Sequence, residues 1–151
     1  MSNPNALFPI WAPRLLSILR MVVAVNFISH GTQKVFGVPS VTPFPGFPVS
    51  SVLGIAGVIE MVFGPFLLLG LFTRPIAFLL CGEMAAAYLR THLPQNVWPL
   101  LNGGEITVTY CFLFLYFVAA GGGSWSLDSL RQRGGRPASL CKLRPIASSK
   151  P

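Results

Sequence analysis

The sequence predicts an all-α protein, a membrane-embedded four-helix up-and-down bundle, and three observations carry that expectation. The 151 residues are 52% hydrophobic and only 10% charged, with a mean hydropathy of +0.63, a balance too apolar for a soluble domain. Residues 52–72, VLGIAGVIEMVFGPFLLLGLF, make one apolar run long enough to cross the ~30 Å hydrocarbon core of a bilayer. Three more apolar stretches, at about 15–36, 75–90 and 105–120, alternate with loops rich in Pro and Gly. The expected division is a lead-in at 1–13, a four-helix transmembrane domain at 14–130 and a basic tail at 131–151, where disorder is expected.

The lead-in carries no charge, so it lacks the basic n-region of a secretory signal, and the span after it is too long for a signal h-region. Inside that first span lies Arg20, with two readings: it snorkels to the near surface, or it is a counter-charge to Glu60 or Glu83. Towards the far end Asn26, Ser29, His30, Gln33 and Lys34 recur at spacings of three and four. That periodicity puts them on one helix face, a polar stripe that lipid cannot satisfy. His30 reads either as a hydrogen-bonded packing residue or as a site residue beside Lys34.

A loop with four Pro, at 37–48, leads to the second span, opened by Ser50 and Ser51. Glu60 falls about 12 Å along that helix, near mid-membrane. An acidic side chain there costs roughly 3 kcal/mol on insertion scales, so Glu60 should face other helices and be protonated, paired or hydrated. Pro65 predicts a kink one turn later, and Gly54, Gly57 and Gly64 allow a neighbouring helix to approach closely. Thr73 and Arg74 read as a two-residue turn that forces an antiparallel hairpin. The third span carries Glu83 about halfway, at a depth similar to that of Glu60, and Arg90 and His92 close it.

After an interfacial segment with Trp98 comes Asn102-Gly103-Gly104-Glu105, which opens the fourth span. Here Asn102 as N-cap and Glu105 at the third helical position would make a capping box, with Glu105 also free to line a site. Trp125 marks the interface again, and residues 126–133 read as one or two amphipathic surface turns. The three cysteines show no metal or disulfide spacing. Cys81 lies about 10 Å from the start of its helix and Cys111 about 9 Å from the start of the next, entering from the opposite face. Depths differing by roughly 10 Å exceed the Cα separation a disulfide allows, so packed free thiols and no dithiol chemistry are expected.

Six of the eleven cations lie in the tail, which makes the net charge of +7 a lipid-facing feature and gives no reason to expect nucleic acid. Four spans place Arg14, Arg74 and the tail on one side and only Lys34 and Arg90 on the other. The positive-inside rule then puts both termini in the cytoplasm. His30, Gln33, Lys34, Arg90, His92, Asn102 and Glu105 gather at the outer face above Glu60 and Glu83, and of these His30, Lys34, Glu60, Glu83, His92, Asn102 and Glu105 are the candidate polar site. No metal site is expected.

In this order and spacing the residues resemble the DoxX family of small four-helix membrane proteins. The resemblance runs from about 15 to 128, through Arg20, His30-Gly31 with Lys34, Phe36 and Gly37, Glu60 with Gly64 and Gly70, Arg74, Asn102-Gly103-Gly104-Glu105 and Leu127-Asp128. It implies a multi-pass protein of the bacterial cytoplasmic (inner) membrane, linked to membrane redox complexes and to thiol or oxidative-stress handling. The family's name comes from a subunit of a thiosulfate:quinone oxidoreductase. With no haem, iron–sulfur or flavin motif in the chain, electron transfer would need a quinone or a partner's cofactor. The leading expectation is therefore a redox subunit in the lipid bilayer, with assembly as a homo-oligomer open, in which the outer polar cluster, chiefly His30, Lys34 and Glu105, holds a quinone head group or docks a partner oxidoreductase. His30 or Lys34 would hydrogen-bond a quinone oxygen and a carboxylate would carry the proton. The alternatives are a component of a proton or small-solute path through Glu60 and Glu83, and a non-catalytic membrane scaffold.

Overall fold

The computed structural model describes residues 8–40 and 45–134, and among them every regular element is helical. Helix α1 (Phe8–Phe36) is followed by α2 (Val52–Leu69), α3 (Thr73–Ala87) with a π-helical turn at its end (Tyr88–His92), the short α4 (Pro99–Asn102), α5 (Glu105–Ala120) and α6 (Leu127–Gly134). Two of these, α1 over Pro9–Phe36 and α2, are long and apolar enough to cross a membrane, with hydropathies of 1.4 and 2.2. Helix α5 is apolar but shorter.

Helix α1 begins earlier than expected, absorbing part of the lead-in. Pro9 falls in the first turn, where the missing N–H has no intrahelical partner to lose, so it does not stop the helix. Pro13 lies inside, and the Ser17 hydroxyl donates to its carbonyl at 2.9 Å. The rest of the lead-in and the tail beyond 134, where disorder is expected, lie outside the described residues.

Ser51 caps α2 by accepting from the Gly54 N–H at 3.0 Å. At the other end Gly70, at φ 67°, donates to Leu67 while Leu71 donates to Phe66, the Schellman pattern that needs a left-handed residue. The connection to α3 is therefore residues 70–72, and Thr73 and Arg74 belong to the helix rather than to the turn. What fixes this start is Asp128: its carboxylate accepts from the Phe72 and Thr73 N–H groups at 2.9 and 2.8 Å. An anion at a helix N-terminus satisfies orphan donors and opposes the dipole.

The long helices pack antiparallel. Along α1 and α2, Lys34 meets Glu60, Gly31 meets Gly57 and Ile28 meets Gly64. A Cβ on Gly31 would lie 2.8 Å from the Met61 backbone nitrogen and 2.9 Å from the Gly57 carbonyl, so here the two backbones touch. Helix α3 runs against α5, with Tyr88 beside Gly104, Cys81 beside Cys111 and Arg74 beside Gly121. Aromatic edges join the two pairs: Phe27 of α1 stands T-shaped to Phe114 of α5 at 4.9 Å and to Tyr110 at 5.8 Å. Phe27 and Phe114 form the fully buried core with Leu67, Leu80 and Phe117, and the half-buried Tyr110 packs against it.

The outer surface is the reverse of a soluble protein's. Phe78, Phe112, Ile106 and Val22 are 69%, 64%, 61% and 54% exposed, whereas Arg20 and Glu60 are buried. Large apolar side chains on every long helix face outward, a continuous surface that water would disfavour and lipid would not.

Candidate functional site

Glu60 is on the inner face of α2, 1% exposed, and its Oε1 pairs with Lys34 Nζ of α1 at 2.6 Å. The close approach at Gly31 and Gly57 makes this pair, since the Lys34 Cβ packs directly over Gly57. A buried carboxylate partnered with an ammonium meets the demand that its position in the span imposes. Glu83 of α3 lies within electrostatic reach of both Glu60 and Lys34. Glu60 Oε2 and both Glu83 carboxylate oxygens are buried without a hydrogen-bond partner among the described residues. Lys34 and Glu83 also contribute to the wall of a groove of about 460 Å³ between α2 and α3, whose other walls include Ile55, Ile59, Leu79 and Arg90. Its lining is apolar along α2 and cationic at the end that carries Lys34 and Arg90.

The remaining candidates divide between two other places. His30 and Glu105 share a second groove, of about 480 Å³, with Asn26, Ser29 and Tyr110 between α1 and α5. There the His30 ring stands T-shaped to Tyr110 at 6.2 Å. His92 and Asn102 belong to a third cluster. His92 Nδ1 is 3.0 Å from the Asn102 carbonyl, which can only accept, and its Nε2 is 3.4 Å from Thr107 Oγ1. The polar stripe of α1 is thus split: Lys34, long enough to reach across Gly57, turns to α2, while Asn26, Ser29 and His30 face α5.

Three expectations are corrected. First, the capping box does not form, because α5 starts at Glu105 and its N-cap is Gly104. Asn102 instead ends α4; its Oδ1 accepts from the Gly104 N–H at 2.8 Å and its Nδ2 donates to the Asn96 carbonyl at 2.7 Å. Second, Arg20 neither snorkels nor pairs with Glu60 or Glu83. It is fully buried, and its guanidinium donates to the carbonyls of Gly122 (2.9 Å), Trp125 (2.8 Å), Leu67 and Leu68. It adds donors to carbonyls at the end of α2 and in the segment after α5, of which Leu67's also accepts from the Gly70 N–H and Gly122's from the Ser17 hydroxyl. Third, Cys81 and Cys111 are not at different depths: their Sγ atoms are 3.7 Å apart. Helix α3 is only 15 residues long, so a point about 10 Å from one end is also about 10 Å from the other. Antiparallel α5 then delivers Cys111 to the same level.

The sequence marked Asp128 only as part of the family resemblance and gave it no role; its capping of α3 shows only once α6 folds back on Gly70. Arg90, expected at the outer face but not among the seven candidates, lines the first groove. Among the described residues no three His, Cys, Asp or Glu side chains converge as a metal site requires.

Helices with lipid-like exteriors, two of them span-length, around a buried ion pair and an orphaned carboxyl define an integral membrane protein. More specifically, the chain belongs to the DoxX family, whose description it matches over residues 15–93. It is 46% identical over 123 residues, 79% of this chain and 92% of the other, to an uncharacterized protein of Haemophilus influenzae. It is 28% identical over 159 residues, 90% of this chain and 95% of the other, to an uncharacterized membrane protein of Mycobacterium tuberculosis. No solved structure matches the chain significantly.

Proposed function

We propose that the protein is a four-span subunit of a redox system in the bacterial inner membrane, with both termini cytoplasmic, and that the groove between α2 and α3 holds the head group of a lipid-soluble quinone. The observation that carries this reading is the Lys34–Glu60 pair at 2.6 Å beside Glu83, whose buried oxygens have no hydrogen-bond partner among the described residues, in the wall of a mainly apolar groove of about 460 Å³. A flat ring bearing two carbonyls suits such a place. Its apolar tail and faces would lie along Ile55, Ile59 and Leu79, and its oxygens would find the donors of Lys34 and Arg90. An unpartnered buried polar group is costly, so an orphaned carboxyl beside a groove favours a polar occupant.

A quinone supplies two-electron, two-proton chemistry, and the electrons would come from a partner oxidoreductase. The chain's own residues bind and handle protons. Lys34 keeps N–H donors beyond the one directed at Glu60 and orients a carbonyl oxygen. The Glu83 carboxyl is the group that would take up or give the accompanying proton. His30 and Glu105, in the other groove, take no part in this step.

Quinone retention tests the reading. Protein solubilised gently from its native membrane and extracted for mass spectrometry should carry quinone well above its share of the co-purified lipid. Glu83→Gln and Lys34→Met should each reduce that enrichment at least about tenfold, the effect of losing roughly 1.4 kcal/mol of binding. Quinone present only at the bulk-lipid ratio in the unaltered protein would remove the proposal.

A further inference from the structure

We infer that Cys81 and Cys111 are a redox-active dithiol, a site at which an uncharged hydroperoxide is reduced and an α3–α5 disulfide is formed. The two sulfurs lie 3.7 Å apart on adjacent helices, and the Cys111 thiol also contacts the Cys81 carbonyl, at 3.6 Å. Both are free thiols and half-buried. Rotation about the two Cα–Cβ bonds is the motion available to bring the sulfurs from 3.7 Å to the ~2.05 Å of a disulfide.

Access selects the oxidant. Neighbouring Phe112, Leu115 and Phe78 are exposed on the lipid-like outer surface of the same two helices, so the pair is reached through an apolar environment. An uncharged alkyl or aryl hydroperoxide enters such a region, whereas a charged disulfide such as glutathione's is excluded. In the first step the sulfur of one thiol attacks the terminal peroxide oxygen. The O–O bond breaks, the thiol proton passes to the departing oxygen, and the products are a sulfenic acid and an alcohol. In the second step the other thiol attacks the sulfenic sulfur, the S–S bond forms and water leaves. Two thiols and one hydroperoxide thus give one disulfide, one alcohol and one water. A single thiol could be carried on to the sulfinic acid, but a partner sulfur already at 3.7 Å intercepts the sulfenic acid first. The site is separate from the groove between α2 and α3, and the inference does not depend on what that groove binds.

The test uses the full chain in membrane vesicles with Cys141→Ser, which removes the thiol outside the described residues. Vesicles are treated with cumene hydroperoxide, denatured in detergent and labelled with a maleimide-bearing polyethylene glycol. Untreated chain should take up two labels and treated chain none, with both regained after dithiothreitol and with the mobility of a single chain throughout. Peptide mass spectrometry of the unreduced chain should show Cys81 joined to Cys111. Cys111→Ser should leave Cys81 unable to form the bond and trappable as a sulfenic acid by dimedone. If that variant misfolds, the linked peptide from the Cys141→Ser chain decides alone. Two labels after excess hydroperoxide, a loss that dithiothreitol does not reverse, or a disulfide joining two chains would each overturn the inference.

Discussion

Arg20 directs its guanidinium at four backbone carbonyls, two from the end of α2 and two from the segment that follows α5. A fork of five N–H donors suits that task, and a lysine's three donors on one nitrogen do not. Each carbonyl left buried and unpaired costs about 1–3 kcal/mol. The Leu67 carbonyl keeps the Gly70 N–H and the Gly122 carbonyl keeps the Ser17 hydroxyl, so Arg20→Met takes the donor chiefly from Leu68 and Trp125. It should lower unfolding stability in mild detergent by about 2–6 kcal/mol, and Arg20→Lys should recover only part of it. Equal stability of all three proteins would show that the carbonyls find other partners. The sequence made this residue conspicuous but misled about its role, because the obvious partners of a cation in a membrane helix are carboxylates. Its actual acceptors are main-chain atoms, which carry no residue-type signal at all. Glu60 is the opposite case. Its position in an apolar run demanded a partner inside the protein, and Lys34 supplies one at 2.6 Å.

Between elements, the fit of α1 on α2 depends on glycine at the crossing. A Cβ at Gly57 would come within 2.7 Å of the Lys34 Cβ and 3.0 Å of Val35 Cγ2, whereas at Gly82 it would meet nothing within 4 Å. Gly57→Val should destabilise by about 1–3 kcal/mol through overpacking, and Gly82→Ala should be neutral or slightly stabilising because alanine favours helix. Thermal unfolding of the two variants side by side checks this; similar midpoints would mean that the helices do not touch there. Close approach at glycines was readable in the sequence, since small residues in an apolar helix have few other uses. Element boundaries were less so. The capping box at Asn102 and the turn at Thr73–Arg74 both follow local propensity; the first yields to the contact of Asn102 with Asn96 in the preceding loop, the second to the contact, distant in sequence, of Asp128 with Phe72 and Thr73. The cysteine pair was missed because a helix shorter than the bilayer is thick was measured as though it filled it.

At the scale of the whole molecule, seven candidate polar residues expected at one mouth are distributed over three places. Helix direction brought them to a common end, as antiparallel packing requires, but each helix has several faces, and periodicity alone does not say which neighbour each face meets. The result is two lateral grooves of similar volume, about 460 and 480 Å³. Only the former adjoins the buried ion pair and the orphaned Glu83 carboxyl. This groove is the proposed place where a membrane-soluble ligand meets the protein, and photolabelling tests that most directly. A quinone bearing a diazirine on its tail, irradiated with the full-length protein in native membranes, should mark peptides of α2 and α3 around Ile59, Leu79 and Met84, and unlabelled quinone should compete. Labelling confined to α1 and α5 around Ser29 and Tyr110, or labelling spread over the lipid-facing surface and indifferent to competitor, would contradict it.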